Sequence, residues 1–343
     1  MNHKFISIIG AAALAIGFAP HSDACTGMEL KTKNGEVVMA RTIEWSGSDM
    51  NTFYVVVPKA YTPDTKYAFT GVAVELPQYI MEGVNEKGLS AGLFYFPDYG
   101  KYEEEANGKT SVSDFELVGY ILSRCATIDE VKSTIAGLHI HGIDPRSSTV
   151  HWRFIEESGR QVVLEIIDGK QVFYENTLGV LTNSPSFDYH LTNLNNYVNL
   201  MPGRAETNTI GRLEMTSFSG GTGMLGLPGD FSSPSRFVRV AFLQNTAPVK
   251  ETALETVTQA FHLLNNFDIP IGMQFAKGEE VVDIPSATHI TVASDLSGHK
   301  LYFRTLHNCE IRCIDLNRIN FKKTGYVCKP LDKVKAETIH QIF

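Results

Sequence analysis

The chain has 343 residues, a net charge of −8, and 43% hydrophobic against 20% charged residues, the balance of a soluble globular protein. An acidic chain without basic runs is not built for nucleic acid. Beyond residue 24 no segment is long and apolar enough to span a bilayer, so stable membrane insertion is not expected either.

The first 24 residues read as a secretory signal: Lys4, an apolar run from Phe5 to Phe18, and an A-x-A-like site at Ser22-Asp23-Ala24. Cleavage after Ala24 exports the protein, to the periplasm or outside the cell, and leaves Cys25 at the mature N-terminus. A lipoprotein signal wants an aliphatic residue where Ser22 stands, so Cys25 is not read as a lipid anchor. A thiol becomes a good nucleophile once a base takes its proton, and an N-terminal amine can do this from within the same residue. Its reference pKa of about 7.7–8.0 already lies near neutrality. The rest, residues 25–343, is read as one domain, since no linker or internal repeat interrupts it.

Taken in order, Cys25–Thr32 and Glu36–Thr42 are expected to form a hairpin about the Asn34-Gly35 turn. Phe53–Pro58 reads as a strand, and Met81–Phe96 as two strands around Asn85–Gly88. Ser111 or Ser113 is expected to cap a helix carrying Phe115, Val118, Ile121 and Leu122, with a second helix over Ile128–Leu138. His151–Glu156 and Gln161–Ile167 form a hairpin candidate, extended by Gln171–Tyr174 and Gly179–Thr182. Residues 185–235, rich in Asn, Gly, Ser and Pro, read as long loops. Helical periodicity returns over Ser235–Leu243 and Ala253–Asn265, followed by a hairpin of Thr288–Ala293 and Lys300–Thr305. Strands, then helices, then strands suggest sheets with helical layers outside them.

The chain has 5 cysteines: Cys25, Cys125, Cys309, Cys313 and Cys328. An odd number in an exported protein suggests one thiol kept free. If that is Cys25, the others form up to two bridges or stay as thiols. Cys309-x3-Cys313 beside His307 lacks a second ligand pair, and no metal is expected. His139 and His141 are read as a solvated loop pair, and Glu103-Glu104-Glu105 as a solvated face. Gly221–Gly226 satisfies G-x-G-x-x-G, but Pro228 prevents a helix from opening there, so it is read as a glycine-rich loop rather than a nucleotide site.

The hairpin returns Arg41 and Glu44 toward Cys25. A guanidinium favours thiolate, and a carboxylate orients an ammonium or amine. Several blocks resemble the choloylglycine hydrolase family of N-terminal-nucleophile amide hydrolases, which includes bile salt hydrolases and penicillin V acylases. They are Cys25-Thr26-Gly27, Ala40–Trp45, Glu82–Leu89 with Ala91-Gly92-Leu93, Leu181–Pro185, Gly221–Phe231 and Ser235-Arg236-Phe237, in family order.

The resemblance implies an α+β fold, the αββα four-layer sandwich, and hydrolysis of an amide without a cofactor. It implies Cys25 as nucleophile, Arg41 beside the thiol, Asn183 at the substrate carbonyl, and Arg236 supporting the nucleophile from the other side. Two positions depart from it. Glu44 replaces the usual aspartate, and Phe94 stands where relatives tend to carry asparagine or tyrosine. Phenylalanine donates no hydrogen bond, so backbone N–H groups, Asn183 or water must serve the oxyanion. Ile43, Phe94 and Phe96 are expected to hold the apolar part of a small amphipathic amide. A conjugated bile acid is favoured over penicillin V or an N-acyl homoserine lactone, and a non-catalytic ligand binder is the rival of another class. The segment from His190 to Gly220 resembles the family's subunit-bridging insertion and implies a homotetramer.

Overall fold

The computed structural model describes residues 24–45, 50–143, 149–273, 278 and 287–343; the expected signal before Ala24 lies outside them. The chain opens with the hairpin β1 (Cys25–Lys31) and β2 (Val37–Trp45), then runs through β3 (Thr52–Val57), β4 (Phe69–Val74), β5 (Ile80–Asn85) and β6 (Ser90–Tyr95). Next come β7 (Thr110–Ser113), α1 (Leu117–Leu122), α2 (Ile128–Ala136), β8 (Leu138–His141), β9 (Val150–Ile155), β10 (Gln161–Ile167) and β11 (Lys170–Glu175). After α3 (Phe187–Asn193), a small hairpin of β12 (Asn208–Ile210) and β13 (Leu213–Met215) precedes α4 (Ser233–Thr246) and α5 (Ala253–Leu264). The chain closes with β14 (Ala287–Asp295), β15 (Lys300–Thr305), β16 (Arg312–Asp315) and β17 (Val327–Pro330).

Two antiparallel sheets face each other. One has 5 strands in the order β1-β2-β14-β15-β16, the other 8 in the order β11-β10-β9-β6-β5-β4-β3-β17. Strand alternation assigns the two faces of β2. Val37, Met39 and Ile43 join the core between the sheets, while Val38 and Ala40 join a second core with Phe237, Val240, Val257 and Phe261 of α4 and α5. On the far side α1 lies on β5 and β6, and α2 on β9. The layers are therefore helix, sheet, sheet, helix, the expected αββα sandwich.

The first hairpin forms where the sequence places it, with Gly35 at a φ of 85° in the turn, a conformation a side chain resists. Two local expectations are corrected. Ser111 and Ser113 do not cap a helix but lie in β7, paired in parallel with β8, and α1 begins after Glu116 without a side-chain cap. The Ser113 hydroxyl is already used, donating to Glu116 Oε2 at 2.7 Å. His139 and His141 sit in β8 rather than in a loop; His139 bonds the Ser111 hydroxyl through Nδ1 and the Glu103 carbonyl through Nε2, and is buried. Among the described residues no cluster of His, Cys, Asp and Glu suits a metal ion, and all five cysteines are unbridged.

Candidate active site

Cys25 begins β1 at the edge of the smaller sheet, opposite Ile43 in the register, with Gly27 opposite Arg41. A short extended stretch lies along the outside of this edge. Gly27 N–H donates to the Leu181 carbonyl at 2.7 Å and Leu181 N–H returns to Gly27 at 3.1 Å, so antiparallel geometry carries Asn183 up beside Cys25. Of the expected strand at Gly179–Thr182, this single bridge is what forms.

Arg236 lies in the second turn of α4, which packs across β1. Its Nε donates to Phe231 O at 2.9 Å, Nη1 to Cys25 O at 2.6 Å and to Thr26 Oγ1 at 2.8 Å, and Nη2 to Asn183 Oδ1 at 2.8 Å. That same Asn183 oxygen accepts the Cys25 backbone N–H at 2.7 Å. In the chain as sequenced this nitrogen belongs to the peptide bond from Ala24; in a chain beginning at Cys25 it is the α-amine. Asn183 is itself held on three sides. Its Nδ2 donates to Tyr95 O at 2.8 Å, its N–H to Ser233 Oγ at 2.9 Å, and His190 Nε2–H donates to its carbonyl at 2.8 Å. Burial pulls the His190 imidazole down to about 4, so it is the neutral ring that makes this bond.

From the inner face of β2, Arg41 reaches below the thiol, with Nε donating to Thr42 O at 3.2 Å and Nη1 to Leu93 O at 2.5 Å. Burial raises the Cys25 thiol. Arg41, a hydrogen bond from the Tyr95 backbone N–H, and Arg236 act the other way, while Glu44 adds to the rise. Glu44 Oε1 accepts Thr288 Oγ1 at 2.9 Å, and Oε2 has no hydrogen-bond partner among the described residues. Burial pushes this carboxyl up to about 7 against the pull of Arg236. Thr288 reaches it because the β2–β14 register shifts between Thr288 and Ile290, a bulge beside the site. A thiol acted on by two guanidiniums and a buried carboxyl, with an amide oxygen at its own nitrogen, has the parts for acyl transfer.

The described match to linear amide C–N hydrolases of the choloylglycine hydrolase family runs over residues 25–329. The chain belongs to the choloylglycine hydrolase family. This family member is 31% identical over 312 residues to the bile salt hydrolase/transferase of Clostridium perfringens, covering 86% of this chain and 93% of that one. A solved conjugated bile acid hydrolase from Clostridium perfringens is similar over 93% of this chain and 100% of the other, with a TM-score of 0.81 at 29% identity. A penicillin V acylase from Pectobacterium atrosepticum is 29% identical over 273 residues, 73% of this chain and 65% of its own. The protein is a hydrolase of linear amide C–N bonds.

In this family member the residues singled out from sequence, Cys25, Arg41, Glu44, Asn183 and Arg236, lie together around the Cys25 thiol and nitrogen. Ile43, Phe94 and Phe96, expected to meet substrate, have no exposed surface with Ala24 still attached. Phe94 lies over the Arg41 guanidinium, 3.7 Å from Cζ to ring centroid, and Phe96 stacks on His151 at 4.5 Å. Phe94 donates no hydrogen bond, and it is the backbone N–H of the next residue, Tyr95, that reaches the Cys25 thiol. Sequence reasoning missed Ser233, His190 and Thr288, which hold Asn183 and Glu44. Ser233 alone left a trace, lying just before the Ser-Arg-Phe block. The glycine-rich run forms a short turn of 3-10 helix at Thr222–Met224, packed on Met201 and Gly203.

Proposed function

We propose that the protein is exported, loses residues 1–24, and hydrolyses a conjugated bile acid through Cys25 as an N-terminal nucleophile. The reading rests on one observation: the Cys25 nitrogen is held by Asn183 Oδ1, which Arg236 also grips. An α-amine at that position is oriented before substrate arrives, which lowers the entropic cost of reaction.

The free amine takes the thiol proton, and the sulfur attacks the amide carbon. The oxyanion is met by Asn183 and the Tyr95 backbone N–H. The ammonium then gives its proton to the leaving nitrogen, the C–N bond breaks, and a thioester remains. Water, losing a proton to the same amine, attacks the thioester; the C–S bond breaks and the acid leaves. Glu44 orients the amine. No cofactor enters the scheme.

A steroid amide fits the resemblance to bile salt hydrolases, while the penicillin V acylase relative keeps a phenoxyacetyl amide as the second reading. Purified protein given taurocholate, penicillin V and a long-chain acyl homoserine lactone separates them. Turnover of taurocholate that Cys25→Ser abolishes is expected. Binding without product, unchanged in Cys25→Ser, leaves only a ligand-binding protein. Intact mass should begin at Cys25, and a retained Ala24 would remove the free amine and the mechanism with it.

A homotetramer is proposed too. The segment from His190 to Gly220 exposes Val198, Ile210, Leu213 and Phe218, apolar surface of the kind that subunit contacts bury. Light scattering on the eluting protein checks this, and a monomer defeats it.

A further inference from the structure

Below the thiol lies a charged group that the mechanism above does not use. Glu82 on β5 sits between two guanidiniums, its Oε2 3.6 Å from Arg41 Nη1 and 3.9 Å from Arg153 Nη2 on β9. Ser90 Oγ donates to Glu82 Oε1 at 3.0 Å. The side chains of Arg41, Glu82 and Arg153 are between 0% and 1% exposed, so their charges act on one another in a weakly screening interior. The Phe94 ring lies against both cations, 3.7 Å from Arg41 Cζ and 5.3 Å from Arg153 Cζ.

Two glycines make room for this cluster. A Cβ at Gly27, opposite Arg41, would fall 2.7 Å from Arg153 Nη1 and 2.9 Å from Phe94 Cζ. A Cβ at Gly92, opposite Glu82, would fall on the Glu82 carboxylate. The interior is shaped around these charges rather than merely tolerating them.

We propose that Glu82 and Arg153 are positioning residues that fix Arg41 under Cys25 and set the charge it presents to the sulfur. The inference rests on the reading of Cys25 as nucleophile. Two cations and one carboxylate leave a single positive charge, which matches the single negative charge of a thiolate or an oxyanion. Without Arg153, Glu82 offsets Arg41, and the thiolate keeps only Arg236 as a counter-charge. Without the Glu82 carboxylate the cations are uncompensated, and the thiolate is favoured while Arg41 loses an anchor.

Other charged and titratable groups stand around this place: Glu29 on β1 acts on Arg153, Glu44 on β2 and Arg236 on α4 act on Cys25, the His151 ring on β9 meets Phe94, and Glu165 on β10 pairs with His151. They are the same in every variant below, so their effect cancels in the comparison.

The test is the pH profile of Cys25 alkylation by iodoacetamide, followed by peptide mapping, on protein expressed from the full chain with its N-terminus confirmed by mass. Arg153→Met should raise the midpoint by about one unit, the scale of one nearby charge in a protein. Glu82→Gln should lower it, and Arg153→Lys, which keeps the charge, should stay near the parent value. Opposed shifts are what a purely architectural ion cluster does not produce. Because Glu82→Gln and Arg153→Met are read separately, a folding failure in one leaves the other to decide. Midpoints that do not move, or that move in the same direction, overturn the inference while leaving the nucleophile in place. A parent protein without a fast-reacting Cys25 instead removes the nucleophile reading, and this inference falls with it.

Discussion

Glu44 shows how one added methylene is accommodated. Its carboxyl is buried, anchored on one oxygen by Thr288 and pushed up to about 7 by desolvation. A carboxylate is needed to orient an ammonium, so activity should rise with pH through that value. We expect kcat/KM to show an acid limb with a midpoint near 7 that Glu44→Gln removes while lowering the rate at least about 100-fold, the scale of a lost preorganised group. Glu44→Asp, which restores the charge, should recover part of the rate. Phe94 is a different case, its fully buried ring packed between Arg41 and His151. Phe94→Ala should cost about 3–5 kcal/mol in denaturant unfolding, because the ring's burial is lost and a cavity remains. Phe94→Tyr should cost less if its hydroxyl finds a partner.

Among the elements, β1 does the most for the site. It carries Cys25, offers Gly27 to both neighbours, and receives Arg236 from the helical layer on its other face. Its glycine is the sensitive point. Gly27→Ala would press on the Arg153 guanidinium and the Phe94 ring at distances under 3 Å, where something must shift. An overpacking cost of about 1–3 kcal/mol is expected in chemical denaturation. Activity should fall further than stability does, since Arg41 is moved with its neighbours. Unchanged activity in Gly27→Ala would mean that the gap beside β1 is not tight. The α4 helix matters for its placement more than for its composition: Arg236 reaches Cys25 only because the helix crosses the outer face of that strand.

At the scale of the whole molecule, several buried carboxyls dominate the pH dependence of stability. Burial raises Glu44 and Glu82 from 4.5 to about 7, and Asp114 from 3.8 to about 6. The folded state thus binds more protons than the unfolded one between the ordinary and the raised values. Their contribution is fully present below the ordinary carboxylate range and is lost as pH rises through 6 and 7. His190, lowered to about 4, acts the other way by favouring the folded state as pH rises, but it is one group against three. The melting temperature of the full chain should therefore fall from about pH 5 to about pH 8, and Asp114→Asn should flatten that slope. A melting temperature that rises over this range would show these carboxyls to be better compensated than their burial implies.

Local chemistry in the chain was enough for the first hairpin, because Asn34-Gly35 states its turn and alternation states its faces. It was enough too to single out Cys25 and to bring Arg41 and Glu44 toward it, while Asn183 and Arg236 were legible only through the resemblance of their blocks to the family. The helices over 253–264 and 128–136 were legible from their apolar spacing. Ser111, Ser113 and His139 were misread because a parallel strand pair joins β7 to β8 across an intervening pair of helices, and such pairing leaves no local signature. The supports of the site were hidden for a related reason. Thr288, Ser233, His190, Glu82 and Arg153 come from distant strands and helices, and their value lies in distance and burial. A carboxylate between two arginines, dry on all sides, is made by the packing of two sheets, and only the folded structure brings those three charges together.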